Sequence, residues 1–286
     1  MSDLIYRFDP NGRHAVSLPA DAAEAARRLE TGNRQFARLL KPGADSASFT
    51  HVLRFDADDL GIPREDGTAP AQMPFAAVLG CSDARVPIEM IFGQACNDLF
   101  VVRVAGNVLG AECLGSLDYA LTALGESLKL VIVLGHSGCG AVSAAADAFI
   151  DPTKYLQFAS SHPLRAIVDR VFAAVRASHA ALEIVYGQQV EDLPGYRRAL
   201  IETSVVLNAA LTAATVQDEF RGRLDPKGGV VFGVYNLMTR RVKVTLEPAD
   251  DDVAIRLASP PANADEYGRL GILVAGSGMV RELLQP

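Results

Sequence analysis

This 286-residue chain has no excess of positive charge, no long apolar run and no apolar leading segment. Its 27 lysines and arginines stand against 34 aspartates and glutamates, so the formal net charge is −7. Surfaces that bind nucleic acid or anionic membranes are basic, and we therefore expect neither partner. No apolar stretch approaches the roughly 20 residues that a membrane helix needs, so we expect no membrane span. The first residues, MSDLIYRFDPNG, carry charges where a secretory signal has its apolar part, which predicts a soluble, cytoplasmic protein.

Cysteine is scarce as well, with four residues: Cys81, Cys96, Cys113 and Cys139. In the reducing compartment that we expect, a chain of this length uses cysteine for metal binding or catalysis more often than for disulfides. Cys96 and Cys113 do not lie in a motif with other chemically active side chains. We predict plain packing for these two.

Short apolar strands alternate with helical segments through the middle of the chain. The predicted strands are residues 75–80, 98–106 and 128–135, and the predicted helices are residues 86–93, 113–125 and 140–150. Such alternation is typical of βαβ units. The sequence therefore predicts an α/β fold with a mostly parallel central sheet flanked by helices.

The remaining segments are assigned from periodicity and from turn residues. We predict a helix over residues 19–40 with a break or bend at Gly32-Asn33, a polar linker over 41–73, a helix over 202–220, a strand–turn–strand over 228–246, and a strand and short helix at the end of the tail. We divide the chain into an N-terminal helical arm (1–45), a linker or insertion (46–72), an α/β core (73–247) and a C-terminal extension (248–286).

Two motifs with chemically active side chains each follow a predicted strand. They are C-x-D-x-R at residues 81–85 and H-x-x-C at residues 136–139. Open α/β sheets bind their ligands at the carboxyl ends of parallel strands. If the two strands are neighbours in the sheet, both motifs line one crevice.

Cys81, His136 and Cys139 are a two-cysteine, one-histidine set that is typical of zinc. Three protein ligands leave a fourth position open, as in catalytic rather than structural sites. Two thiolates offset the charge of the ion, which therefore acidifies a bound water less than an all-histidine site does. Asp83 would accept a hydrogen bond from the bound hydroxide, and Arg85 would keep Asp83 ionised and oriented. Asp83 acting as a fourth ligand would instead close the site.

Other chemistries fit the same residues less well. A G-x-S-x-G nucleophile elbow needs glycine at position 139, and the Gly-Lys-Ser/Thr ending of a P-loop is absent from this turn. A nucleophilic pair of Cys139 and His136 is conceivable but leaves the C-x-D-x-R motif without a role. His162 and His179 fall in a predicted helical region, where we expect surface positions.

The motif CSDAR, followed about fifty residues later by GHSGCGA, resembles the beta-class carbonic anhydrases. The resemblance includes LETGNRQF, LFVVRVAGN, LGSLDYAL and VVFGVYNLMTRRV, and it spans roughly residues 28–246. It implies one Zn²⁺ per subunit, held by Cys81, His136 and Cys139. It further implies reversible hydration of carbon dioxide to bicarbonate and a proton through zinc-bound hydroxide, with Asp83 and Arg85 as the catalytic pair.

The resemblance also implies that Gln94 and Tyr119 bind substrate, with Tyr119 lining the pocket of the partner subunit. It implies a homodimer or a higher even oligomer, with the N-terminal helical arm packing on a partner subunit. One segment departs from the family, because VLGAECLGS lacks an aromatic residue that some members have there. Two alternatives stay open: hydrolysis of carbonyl sulfide or carbon disulfide at the same site, and a non-catalytic, zinc-stabilised binding or sensor protein with Asp83 permanently on the metal.

Overall fold

Seven strands and nine α-helices form the part of the chain that the structure describes. This computed structural model describes residues 3–9, 17–39, 50–63, 67–224, 226–244 and 257–285. The strands are β1 (Asp3–Phe8), β2 (Thr50–Phe55), β3 (Ala76–Gly80), β4 (Leu99–Arg103), β5 (Leu130–His136), β6 (Gly229–Tyr235) and β7 (Val242–Lys243). The helices are α1 (Ala22–Arg38), α2 (Ile88–Phe92), α3 (Ala111–Ala123), α4 (Gly140–Ile150), α5 (Leu156–Ala159), α6 (His162–Tyr186), α7 (Tyr196–Glu219), α8 (Ala264–Ala275) and α9 (Gly278–Leu284). Short 3₁₀ helices lie at Ala105–Asn107, Pro152–Tyr155 and Gln188–Asp192.

The central sheet has five strands in the order β4-β3-β5-β6-β7. The first four are parallel, and β7 pairs with β6 in the antiparallel direction. The predicted α/β fold with a mostly parallel sheet flanked by helices is therefore confirmed. Gly80, the last residue of β3, pairs with Leu134 of β5. Cys81 and His136, one and two positions further along, consequently lie at the same edge of the sheet.

The central strand β3 is apolar throughout because helices cover both faces of the sheet. Alternate side chains of a strand point to opposite faces. Ala76 and Val78 pack with α1 and α2, whereas Ala77 and Leu79 pack with α3 and α7. All four residues are fully buried, which explains a continuous apolar run in place of an alternating one.

Helix α1 runs without interruption through Gly32 and Asn33, so the predicted break there is wrong. A Cβ atom on Gly32 would lie 1.7 Å from the carbonyl oxygen of Phe92, at the end of α2. The glycine therefore allows two helices to approach closely. Asn33 is fully buried, donates to the carbonyl of Ile91 and accepts from the N–H of Val242. These hydrogen bonds hold α1 against the core of its own chain. The packing of the N-terminal helical arm on a partner subunit stays a prediction.

Two other segments differ from the predicted secondary structure. Strand β2 lies within the predicted linker and pairs in parallel with β1 in a separate two-stranded sheet. The apolar run in the tail, predicted as a strand, is helix α8, which packs against α6 and α7. A short apolar run fits a buried helix as well as a buried strand, so its composition does not separate them. The division of the chain into four segments stays a prediction.

Helix α7 is long and apolar enough, by length and composition alone, to cross a membrane. Its most apolar window has a mean hydropathy of 1.5, so the statement that no apolar stretch approaches the length of a membrane helix is wrong. In the folded chain, 78% of that window is buried. The helix packs against α6, β5 and β6. We therefore assign α7 as a core helix, which agrees with the expectation of no membrane span but does not test it.

Candidate metal centre

Three buried side chains with metal-binding atoms meet at the carboxyl edge of the central sheet. Cys81 follows β3, His136 ends β5, and Cys139 directly precedes α4. One ligand atom of each lies within 4.8 Å of the other two, and the two sulfur atoms are 3.9 Å apart. Within the described ranges, no other group of histidine, cysteine, aspartate and glutamate side chains converges in this way. The fold thus brings together the three residues that the sequence predicts as ligands.

The turn between His136 and Cys139 is tight because of Gly138. This residue has a φ of +62°, in the left-handed region that glycine adopts without steric penalty. The chain therefore leaves the buried end of β5 and returns one sulfur atom to the same point within three residues. A single short loop can supply two ligands in this way.

The ring of His136 has one buried nitrogen atom without a partner. Its Nδ1 atom lies 3.1 Å from the carbonyl oxygen of Ser137. Its Nε2 atom is buried and makes no hydrogen bond with any residue of the described chain. A buried polar atom left unsatisfied is costly, and coordination of a metal ion would satisfy it. Together with two cysteine sulfurs, this nitrogen fits the donor set that Zn²⁺ prefers.

The two cysteine sulfurs lie within hydrogen-bonding distance of each other, at 3.9 Å. The hydrogen bond with Cys139 lowers the pKa of Cys81 to about 4, with His136 and backbone groups adding to the effect and burial opposing it. The same hydrogen bond, together with burial, raises the pKa of Cys139. This hydrogen bond favours the thiolate form of Cys81, which is the form of cysteine that binds a metal ion.

Asp83 and Arg85 form a two-pronged ion pair beside the three buried side chains. Arg85 donates from Nε to Oδ1 at 2.9 Å and from Nη2 to Oδ2 at 2.7 Å. These hydrogen bonds hold the pKa of the Asp83 carboxyl well below its usual range. Asp83 Oδ2 also lies 3.9 Å from Nε2 of His136. The Asp83 carboxylate is thus ionised and held by Arg85. It lies beside the Nε2 atom of His136 that makes no hydrogen bond.

Arg103 supports the loop that carries these groups, and it was not predicted as a site residue. It is the last residue of β4, next to β3 in the sheet. Its guanidinium donates to the carbonyl of Cys81 at 3.0 Å and to that of Asp83 at 2.6 Å. Parallel strands end at the same edge of a sheet, so a charged residue at the end of the strand next to β3 lies near Cys81. That position in the sequence could have identified Arg103.

Two polar side chains of α7 also reach this region and were missed. Glu202 accepts a hydrogen bond from the N–H of Gly138, and burial raises its pKa. Asn208 donates to the carbonyl of Gly106, whose own N–H lies 3.4 Å from the sulfur of Cys81. Polar residues inside a buried apolar helix need partners, and that rule could have marked both.

Gln94 lies in a different environment from the three buried ligands. It is buried, accepts from Nε of Arg28 at 2.8 Å and donates to the carbonyl of Phe92 at 2.7 Å. Both groups belong to the contact between α1 and α2. This contact borders a cavity of about 990 Å³ that also includes residues of β2. In this chain Gln94 makes structural hydrogen bonds, and its role toward substrate stays a prediction.

Tyr119 is half-exposed on α3, with its ring centroid 6.2 Å from that of Phe100. It is therefore not a core residue of this chain, and its contribution to a partner's pocket stays a prediction. Cys113 is buried in the apolar core beside α7, as predicted. The packing prediction is wrong for Cys96, which is exposed.

The two remaining histidines named from the sequence lie on α6. His162 is exposed, as predicted. His179 is only 19% exposed in its side chain, so the surface prediction is wrong for it. Its Nδ1 lies 2.9 Å from the hydroxyl of Tyr196 on α7.

Comparison with known proteins identifies the family. The sequence profile described as "Carbonic anhydrase" matches residues 76–219, just over half of the chain. "Carbonic anhydrase 2" of Mycobacterium tuberculosis is 47% identical over 92 residues, which cover 32% of this chain and 44% of that protein. "Carbonic anhydrase" of Mycolicibacterium smegmatis is 48% identical over 88 residues, covering 31% of this chain and 42% of that protein. The chain thus spans less than half the length of these curated relatives.

Solved structures give a weaker likeness. The beta-carbonic anhydrase of Coccomyxa, solved in complex with acetazolamide, aligns with a TM-score of 0.46 and 23% identity over 63% of this chain and 73% of that one. The family match covers the segment from β3 to the end of α7, which contains both motifs of the metal centre. The chain belongs to the beta-class carbonic anhydrase family.

Proposed function

We propose that this protein catalyses the reversible hydration of carbon dioxide to bicarbonate and a proton, with one Zn²⁺ per subunit. The observation that carries the proposal is the convergence of two buried thiols and an unpartnered imidazole nitrogen beside an ionised carboxylate. Membership of the carbonic anhydrase family supports the same reaction.

Cys81, His136 and Cys139 would hold the ion. When bound, Zn²⁺ would act as a Lewis acid that makes a water molecule acidic enough to attack carbon dioxide near neutral pH. The surrounding residues keep solvent away from the three ligands, which are all buried. Asp83 lies beside them, with Oδ2 3.9 Å from Nε2 of His136.

Asp83 would orient the attacking water. Because it is ionised, its carboxylate accepts hydrogen bonds and donates none. A water that donates to Asp83 directs a lone pair away from the carboxylate, where it could attack carbon dioxide. Arg85 stabilises the ionised form and fixes its direction through two parallel hydrogen bonds.

The closed alternative needs Asp83 to leave Arg85. A carboxylate that binds the metal as fourth ligand would lose hydrogen bonds of 2.9 and 2.7 Å to Arg85. The observed pairing therefore favours an open site and a catalytic role over a permanently closed, non-catalytic one. Hydrolysis of carbonyl sulfide or carbon disulfide would use the same residues and stays the alternative activity.

We further propose a homodimer or a higher even oligomer. The half-exposed ring of Tyr119 supports this, because aromatic residues are enriched in the cores of protein interfaces. Tyr119 would then line the partner's pocket. A substrate contact from Gln94 would require exchange of a hydrogen bond that it makes to Arg28 or Phe92.

The test is stopped-flow hydration of carbon dioxide by protein of measured zinc content. Carbonyl sulfide and carbon disulfide, assayed on the same preparation, separate the alternative activity. Sedimentation of the same sample gives the oligomeric state.

A further inference from the structure

Helix α7 places a carboxylate against the turn that joins two of the proposed ligands. Glu202 Oε1 accepts a hydrogen bond of 2.9 Å from the N–H of Gly138. Gly138 lies between His136 and Cys139 with a left-handed backbone. The hydrogen bond therefore acts on the residue whose conformation sets the separation of these two side chains.

The same helix holds the backbone beside the third ligand. Asn208 is 3% exposed, and its Nδ2 donates to the carbonyl of Gly106 at 2.9 Å. The N–H of Gly106 is 3.4 Å from the sulfur of Cys81. Gly106 has a φ of +68°, and a Cβ atom there would lie 2.9 Å from the Cβ of Ala141. This turn is thus fixed by packing on one side and by Asn208 on the other.

A role of Glu202 in helix formation alone does not explain its position. It is the seventh residue of α7, beyond the first turn in which a carboxylate stabilises a helix N-terminus. It lies in a helix whose other side chains in this region are mostly buried and apolar, including Leu200, Ile201 and Val205. Its Oε1 atom instead accepts a hydrogen bond from Gly138, in the turn between His136 and Cys139.

We propose that Glu202 is a positioning residue that fixes the 136–139 turn before the metal binds. This proposal depends on the proposed function for one point only, the identity of the metal ion as Zn²⁺. A ligand set that is held in place loses less conformational freedom when it binds a metal, and outer partners of ligands typically contribute about 10–100-fold in affinity. We expect zinc affinity to depend on the length of the Glu202 side chain, which lets its oxygen accept from the N–H of Gly138, and not on its negative charge.

Two conservative variants of Glu202 separate the effect of side-chain length on zinc affinity from the effect of charge. Glu202→Gln keeps the length and an acceptor oxygen but removes the charge, whereas Glu202→Asp keeps the charge and shortens the side chain. Zinc affinity is measured by competition with a chromogenic chelator, and ligand geometry by the visible absorption of the Co²⁺-loaded protein. Glu219, an exposed carboxylate at the end of α7, provides matched controls as Glu219→Gln and Glu219→Asp.

We expect Glu202→Asp to bind zinc about 10-fold more weakly with an altered Co²⁺ spectrum, and Glu202→Gln and both controls to stay within about twofold of the original protein. Equal affinity and spectra for both Glu202 variants would overturn the proposal, and so would weak binding by Glu202→Gln. Zinc binding is measured without turnover. If the original protein binds zinc but does not hydrate carbon dioxide, the proposed function fails while this inference stands.

Discussion

The carboxylate of Asp83 lies 3.9 Å from the unpartnered Nε2 of His136 while Arg85 binds both of its oxygens. This contact brings the C-x-D-x-R and H-x-x-C motifs together, since Asp83 follows β3 and His136 ends β5. It gives the metal centre an ionised acceptor beside the ligands. It also makes Asp83 the residue whose substitution separates metal binding from turnover.

Asp83→Asn should keep zinc and lose activity. The amide can no longer be held as an ionised acceptor by Arg85, so the attacking water loses its orientation. We expect kcat to fall by about 100-fold or more, in the range typical of a lost proton-accepting group. Zinc content by atomic absorption should stay at one ion per chain, and a variant that turns over normally would remove the Asp83–Arg85 pair from the mechanism.

Cys139→Ala should lose the metal. Removal of one of three ligands affects binding more than loss of an outer partner, which typically costs about 10–100-fold in affinity. Zinc content after dialysis against a weak chelator measures the effect. Cys96→Ala removes an exposed cysteine outside the centre and should retain one ion per chain. Equal zinc in the two variants would show that Cys139 is not a ligand.

Gly32→Ala should destabilise the protein by detaching α1 from α2. The new Cβ would lie 1.7 Å from the carbonyl oxygen of Phe92, and backbone atoms must move to relieve the clash. We expect a loss of about 1–3 kcal/mol in the free energy of unfolding, as for other overpacked sites. Gly268→Ala in α8 meets no atom within 4 Å and should be neutral or stabilising by up to about 1 kcal/mol. Urea unfolding of both variants checks this, and equal stability would contradict the close approach of the two helices.

The ion pair between Arg197 and Asp147 should stabilise the protein only above acid pH. Arg197 donates to Asp147 at 2.6 and 2.8 Å and lowers the pKa of this carboxyl. A carboxyl with a lowered folded-state pKa contributes stability that is present above its unfolded pKa of about 3.9 and is lost as the pH falls through the folded value. Because the pair is partly exposed, Arg197→Gln should cost at most about 1 kcal/mol near pH 7.

The same variant should differ less from the original protein at acid pH. Urea unfolding near pH 7 and at the lowest pH where both proteins remain folded measures the two differences. A difference that stays constant or grows toward acid pH would contradict the assigned direction of the Asp147 pKa.

The strand ends and the three central side chains could be predicted because the signals are local. An apolar run followed at once by Cys81, and another that ends at His136, specify both the strands and the edge at which they meet. The parallel pairing of Gly80 with Leu134 then brings the motifs together, as expected for neighbouring strands.

Polarity at a strand end or inside an apolar helix could have marked the supporting residues, but their contacts could not be predicted because their partners are distant in the chain. Arg103, Glu202 and Asn208 act through backbone groups of loops that the fold alone brings near them. Gly32 illustrates the same limit. Its local pattern indicates a break, whereas its function is a close contact with Phe92, sixty residues away.

The most direct test is stopped-flow hydration of carbon dioxide by the original protein, with its zinc content measured on the same sample, from about pH 6.5 to pH 9. We predict catalysed hydration in proportion to bound zinc, and none after Cys139→Ala. A protein with one zinc per chain that does not accelerate hydration anywhere in this range would contradict the proposed function.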